Sequence, residues 1–208
     1  MTSKIGFVSW DEIDSGNQSA KDKELQYDLV DGKNRVRIIT KPAQYYVHQW
    51  KAPNDISFGT KIKCALYGKD SKCPLCDQGL TPKKRWVVGI IERKNQSYKL
   101  LDIGWGVMKD LMEAIRNEEY GDLIRYDVTI TKNSKAIPAD MYKTLPSPSS
   151  PLSASDLELK QKVDLSEIER KVQHPSYEEV VKQMERRKAW LDAKAKKQAE
   201  PAFSFENE

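Results

Sequence analysis

Cys64, Cys73 and Cys76, with His48 upstream, are the side chains of this sequence whose types and spacing could do chemistry. They form the pattern His-x15-Cys-x8-Cys-x2-Cys. A zinc ion takes four nitrogen or sulfur ligands at tetrahedral corners, and a Cys-x2-Cys pair supplies two of them from one turn. Pro74 fixes a backbone angle inside Cys73-Pro74-Leu75-Cys76 and helps to pre-form that turn. The expected site is closed and structural, with one Zn2+ per chain held by His48, Cys64, Cys73 and Cys76 and no position left open for catalysis. Its alternative is three packed thiols beside a strand histidine. A redox reading of the Cys-x2-Cys pair lacks the βαβ context such motifs sit in. His174 is the other histidine, and it lies beyond a Pro/Ser-rich stretch, so it makes a poor fourth ligand. Three cysteines cannot all pair with one another, which argues against a secreted disulfide framework.

Catalytic chemistry has little else to draw on. A metal-dependent nuclease needs clustered carboxylates, and residues 33–99 contain only Asp55, Asp70, Asp77 and Glu92, in no suggestive spacing. The expectation is a protein that is not an enzyme.

Charge is more informative. The net charge is +4, but residues 33–99 hold fifteen basic side chains against four acidic ones, a net of +11. Residues 1–32 hold three basic and seven acidic, a net of -4. The positive field therefore sits on the segment that carries the metal ligands, as expected of a polyanion binder. Proteins that hold single strands without sequence preference line a basic groove with aromatic rings on which bases stack. Arg35, Arg37, Tyr45, Tyr46, Trp50, Lys51, Lys61, Lys63, Lys84, Arg85, Trp86, Arg93, Lys94, Tyr98, Lys99 and Trp105 have that composition. Arg35 and Arg37 fall on one strand face, opposite Val36 and Ile38, and Lys61 and Lys63 form a second two-step pair. The competing reading makes half the rings core and half the cations ordinary solvated charges.

The elements that must position these residues can be read from periodicity. Residues 1–32 read as a polar arm. Arg35-Val36-Arg37-Ile38-Ile39 and Tyr45-Tyr46-Val47-His48-Gln49-Trp50 read as strands, followed by a cysteine lobe at about 48–80. Strands are expected over 85–93 and 98–103, joined by a turn at Lys94-Asn95-Gln96-Ser97. A helix follows with Val107, Leu111 and Ile115 on one face, then a strand over 124–131 and another over 141–145. This order predicts a mainly β fold with α: a five-stranded OB-type barrel over 33–146, interrupted by the zinc lobe. Another small β-barrel with a helical lid is the alternative.

Residues 147–156 read as a Pro/Ser linker and 157–199 as a helical segment, in two helices over 157–173 and 176–198. Ser176-Tyr177-Glu178-Glu179 fits a capping box, and Val180, Met184 and Leu191 form a modest apolar stripe amid charges, so the last helix reads as largely solvated. The acidic tip, 200–208, carries Phe203, Phe205, Glu206 and Glu208, a candidate partner-docking peptide whose alternative is a frayed end. No apolar run approaches a membrane span, and the amino terminus lacks a basic-then-apolar leader, so no membrane partner and a cytoplasmic location are expected.

The chain resembles the single-stranded DNA-binding (helix-destabilising) proteins of tailed bacteriophages, of the zinc-containing OB-fold type. The resemblance covers about residues 30–150. It rests on His48, Cys64, Lys72-Cys73-Pro74-Leu75-Cys76, the strand over 124–131 and the ending Tyr142-Lys143-Thr144-Leu145-Pro146. It implies sequence-independent coating of single-stranded DNA in replication, recombination and repair, often with self-association on the strand. It also implies recruitment of replication or recombination proteins through an acidic carboxyl-terminal segment, and work in the host cytoplasm. The basic amino-terminal arm of the family's best-known member has no counterpart here, since residues 1–32 are net acidic. The function expected is therefore non-specific single-stranded DNA binding by base stacking and phosphate contacts. A zinc-bearing protein-interaction adaptor in phage transcription or replication is the alternative.

Overall fold

A computed structural model describes residues 24–53, 55–66 and 72–199, the last three of these by backbone alone. Most of the polar arm, Asp70 and the acidic tip with Phe203, Phe205, Glu206 and Glu208 lie outside the described residues. The described chain has eight strands, five α-helices and one 3-10 turn, so it is mainly β with α. Its contacts divide it into two units: residues within 1–42 with 87–168, and 43–86 with residues from 169 onward.

In the first unit, β1 (Gln26–Tyr27), β2 (Gly32–Ile38), β5 (Lys83–Glu92), β6 (Ser97–Ile103), β7 (Val128–Lys132) and β8 (Tyr142–Pro146) follow the order β1-β6-β5-β2-β7-β8. The first residues of β5, 83–86, belong to the second unit. β2 runs antiparallel to both neighbours, pairing Val36 with Glu92 on one side and with Val128 on the other. The β1–β6 ladder is parallel. Among the described residues no ladder joins β1 to β8, so the path stays open at its ends. Helix α2 (Trp105–Arg116) buries Val107, Met108 and Leu111 and starts two residues earlier than its apolar face suggests, after Gly104. Ile115, at the end of the expected face, remains 45% exposed.

Two departures from the sequence pattern have local causes. The strand expected over 124–131 begins late because Asp122 accepts a hydrogen bond from the Ile124 N–H (3.2 Å) and winds 123–125 into a 3-10 turn. The helix expected over 157–173 is two, α3 (Ala154–Gln161) and α4 (Leu165–Val172). Asp164 restarts the second by accepting from the Ser166 N–H at 2.9 Å, which is the capping chemistry that makes Asp a helix starter. Ser153 and Asp156 form a full capping box at the start of α3.

Polar groups inside this unit are tied rather than excluded. Buried Asn34 donates to the carbonyls of Val30, Gly32 and Ile130 and accepts from the Val30 N–H and the Tyr27 hydroxyl. Asp127, whose side chain is 5% exposed, receives Arg35 Nε (2.9 Å), Arg37 Nε (2.6 Å) and Arg93 Nη2 (2.8 Å). Arg93 reaches on to Asp156 at 2.6 Å, while Arg37 spends its remaining donors on the Ile124 and Ser150 carbonyls and the Ser150 hydroxyl. Ser147 and Ser150 also donate backbone N–H groups to the Asp127 and Arg125 carbonyls, so the Pro/Ser stretch lies hydrogen-bonded along this unit.

Burial alone would raise the Asp127 carboxyl, but the guanidinium groups of Arg93 and Arg37 hold it below its usual 3.8. A carboxylate lowered in the folded state stabilises the fold above its unfolded value, and the gain is lost as pH falls through the folded one. Asp127→Asn leaves Arg37 as an uncompensated buried cation and Arg93 with Asp156 as its remaining carboxylate, and is expected to cost about 3–5 kcal/mol in urea unfolding. The variant is also expected to lose part of the wild-type fall in stability on acidification below about pH 4.

Candidate metal centre

The second unit starts from a hairpin. β3 (Ala43–Trp50) and β4 (Thr60–Lys63) pair antiparallel with His48 opposite Ile62 and Gln49 opposite Lys61. The Cys64 N–H continues the ladder to the Tyr46 carbonyl at 2.9 Å. Side chains alternate along a strand and directly paired residues share a face, so Tyr46, His48, Trp50, Ile62 and Cys64 lie together. His48 and Cys64 thus become diagonal neighbours across two strands although fifteen residues separate them in sequence.

Cys73 and Cys76 come from a tight turn. Cys73 stands at the start of the one-turn helix α1 (Pro74–Asp77), with Pro74 at its first position, where the missing N–H costs nothing. The Cys73 and Cys76 carbonyls accept from the N–H groups of Asp77 (3.0 Å) and Gly79 (2.8 Å). Gly79 has φ +80°, the left-handed conformation that lets a non-branched, Cβ-free residue close a helix end.

These elements bring four ligand atoms to within 4.8 Å of one another. Cys64 Sγ lies 3.7 Å from Cys76 Sγ, and His48 Nε2 lies 3.5 Å from both Cys73 Sγ and Cys76 Sγ. Bond lengths of about 2.3 Å to sulfur and 2.0–2.1 Å to nitrogen in a tetrahedron place sulfur atoms about 3.8 Å apart and sulfur and nitrogen about 3.6 Å apart. The donor set therefore fits a tetrahedral ion both in chemistry and in spacing. His48, Cys64 and Cys73 are fully buried.

The electrostatics of the four side chains point the same way. Burial holds His48 below its ordinary value, and the Leu80 backbone on that side opposes the shift only in part. His48 is thus neutral, the form that ligates. The Leu80 contact falls outside ordinary hydrogen-bond geometry, since buried Nδ1 has no partner that meets it. Burial, then the proximity of Cys64 and Cys73, pushes the Cys76 thiol up to about 12, and burial also raises Cys64. Burial would raise Cys73 as well, but backbone N–H groups of Cys76, Ala65 and Leu75 turn toward its sulfur and bring it down. Three sulfurs this close repel one another as thiolates, and a cation between them removes that conflict.

Around the ligands is a small apolar core of Trp50, Ala52, Ile62, Ala65, Leu75, Val180 and Met184. The last two belong to α5 (Tyr177–Ala199), which begins at the expected capping box, with Ser176 N–H on Glu179 Oε2 at 2.7 Å. Its apolar stripe is covered rather than solvated: Val180 is fully buried and Leu191 packs against the same cluster. His174 places Nδ1 3.0 Å from the Cys64 carbonyl, and Arg187 pairs with buried Asp55 at 3.1 Å. No local pattern in the sequence signals these supports, because each spans more than a hundred residues.

The candidate nucleic-acid residues divide by exposure. Lys51, Lys61, Lys84, Lys94, Arg35 and Trp105 stand exposed. Tyr46, Lys63, Arg85, Arg93, Tyr98 and Lys99 are half-buried. Tyr45, Trp50 and Trp86 are buried rings with no open face for a base, and Arg37 is buried against Asp127. Strand alternation puts Arg35 and Arg37 on one face; both donate to the same carboxylate there. Lys61 and Lys63 share the hairpin face opposite the metal ligands, with Lys63 Nζ 5.9 Å from the Tyr45 ring centre.

Comparison with protein-family models, curated proteins and solved structures finds no match. Among the described residues no helix is long and apolar enough to cross a membrane.

The purified chain is expected to carry about one divalent metal ion per molecule by elemental analysis, and Cys76→Ser or His48→Ala to retain far less. Removing the ion with a chelator should lower the unfolding midpoint and weaken helix α5 in the amide-exchange pattern, because both share the ligands' core. Metal-free chain with an unchanged midpoint would refute the site.

Proposed function

We propose that this protein binds single-stranded DNA without sequence specificity and without catalysis, on a scaffold stapled by a structural zinc ion. The observation that carries the reading is the hairpin β3–β4. One face converges His48 and Cys64 on the Cys73–Cys76 turn, and the other presents Lys61 and Lys63. A metal-locked hairpin holds its cations at fixed separation, which suits a repeating phosphate backbone. The net +11 of residues 33–99 supports the same ligand.

Zinc is the ion of choice for three sulfurs and one imidazole in a closed tetrahedron, where no redox change or open coordination is wanted. The resemblance to the phage single-stranded DNA-binding proteins supplies the rest of the proposal. It comprises an OB-type core drawn from β2, β5, β6, β7 and β8, and action in replication, recombination and repair inside the host cytoplasm. Association along the strand and recruitment of partners through Phe203, Phe205, Glu206 and Glu208 belong to it as well. On a surface where Tyr45, Trp50 and Trp86 are interior, stacking falls to accessible rings, and cations outnumber them.

Anisotropy of a labelled oligo(dT), against a duplex of equal length, tests the reading. The single strand should bind more tightly, and its affinity should fall with salt with a log–log slope of about 0.7 per phosphate contacted. Equal affinity for both forms, or no binding, would sink it and leave the basic face as a protein-docking surface.

A further inference from the structure

The loop between β3 and β4 holds the two most exposed large apolar side chains of the described chain, Ile56 at 100% and Phe58 at 98%. Isolated exposed apolar residues are ordinary, but these two alternate with held positions at Asp55, Ser57 and Gly59. Asp55 is buried, its N–H bonded to the Ala52 carbonyl (3.0 Å) and one carboxylate oxygen accepting from the Ser57 N–H (2.9 Å). Its other oxygen takes Arg187 of α5 at 3.1 Å. Gln49 donates to the Phe58 carbonyl at 2.6 Å.

Gly59 completes the clamp, with φ +77° and its backbone packed so closely that a Cβ would lie 2.4 Å from the Trp50 carbonyl oxygen. The backbone at 55–59 is thus anchored at Asp55, the Phe58 carbonyl and Gly59 while the two apolar side chains project into water. A fold that wanted only a short connection would have no use for them there.

Charge identifies what would cover them. Gln49 and Lys61 are directly paired, so the side chain that grips the Phe58 carbonyl shares a face with an exposed cation. Exposed Lys51 follows Trp50 at the other root of the same loop. The acid within the loop, Asp55, is neutralised inside the unit by Arg187. The exposed chemistry is an aromatic ring and an aliphatic side chain between two ammonium groups, which matches a base flanked by phosphates.

We infer that the segment 55–59 is a base-stacking element for single-stranded nucleic acid, with Phe58 as the platform, Ile56 against the edge of the base, and the flanking Lys51 and Lys61 on the adjoining phosphates. The inference rests on the single-strand reading above and adds to it a residue that charge and strand alternation do not pick out. A rigid loop loses little freedom when a base docks, so one ring can act without a deep groove.

The test uses the full chain, metal content checked, with labelled oligo(dT) anisotropy at two salt concentrations. Phe58→Ala is expected to weaken binding roughly 5- to 100-fold with the salt slope unchanged, and Phe58→Trp to restore it. Lys51→Ala with Lys61→Ala should flatten the slope by about 1.4. Wild-type binding that Phe58→Ala leaves intact would overturn the stacking assignment and spare the single-strand reading. A wild-type chain that binds no oligonucleotide would overturn both.

Discussion

Three thiols and an imidazole within 4.8 Å of one another make the constraint on which the second unit is built. Such a cluster is a poor core in its own right, because each sulfur that ionises raises the cost of the next and burial opposes them all. With a cation at its centre the same cluster becomes the strongest crosslink in the unit. It would tie β3, the end of its paired strand β4 and a one-turn helix into one cluster. Helix α5 then closes the arrangement, with Val180 and Met184 against the ligand cluster, His174 on the Cys64 carbonyl and Arg187 on Asp55.

The first unit solves a different problem with a different device. Its sheet path is open, and β2 carries Arg35 and Arg37 beside Asp127, which stands immediately before the neighbouring strand β7. Asp127 gathers three guanidinium groups, and Asp156 at the start of α3 takes the surplus from Arg93. Removing one partner from such a network is costly, whereas the intact network fixes which strand lies where. Positive charge that looks in the sequence like a polyanion footprint is here partly internal wiring. Fewer of those cations are therefore left open at the surface of this unit.

How much was legible follows from which interactions are local. The ligand set was readable because a Cys-x2-Cys turn is specified by its own residues and the third cysteine and the histidine stand at ligand spacing from it, whereas the strand β4 that carries the chain to Cys64 was not expected. The capping boxes at Ser153 and Ser176 are likewise written in four residues, although only the second stood out. Alternation also located β2 and β7, and failed at Ile124 because a side-chain cap from Asp122 outcompeted the strand. What periodicity could not supply was partnership at long range. Arg37 reads as a surface cation until Asp127, ninety residues away, is placed beside it. Trp50 and Trp86 have the composition of a stacking surface and the packing of a core.

The same logic explains why Phe58 escapes the sequence. Ile56-Ser57-Phe58-Gly59 has no periodic signature, and a ring in a loop of mixed composition is as easily a buried anchor as a free probe. Its exposure is decided by residues that turn inward around it: Asp55 toward Arg187, Gln49 toward the Phe58 carbonyl, and Gly59 against Trp50. Trp50 in turn belongs to the core that surrounds the metal ligands. A chain of fixed contacts therefore runs from the ligand cluster through Trp50 and Gly59 to the loop tip. On the proposed reading, a metal held by the cluster would act on strand binding without touching the strand: by setting the hairpin and its core, it would set the backbone from which Phe58, the most exposed ring among the described residues, is presented.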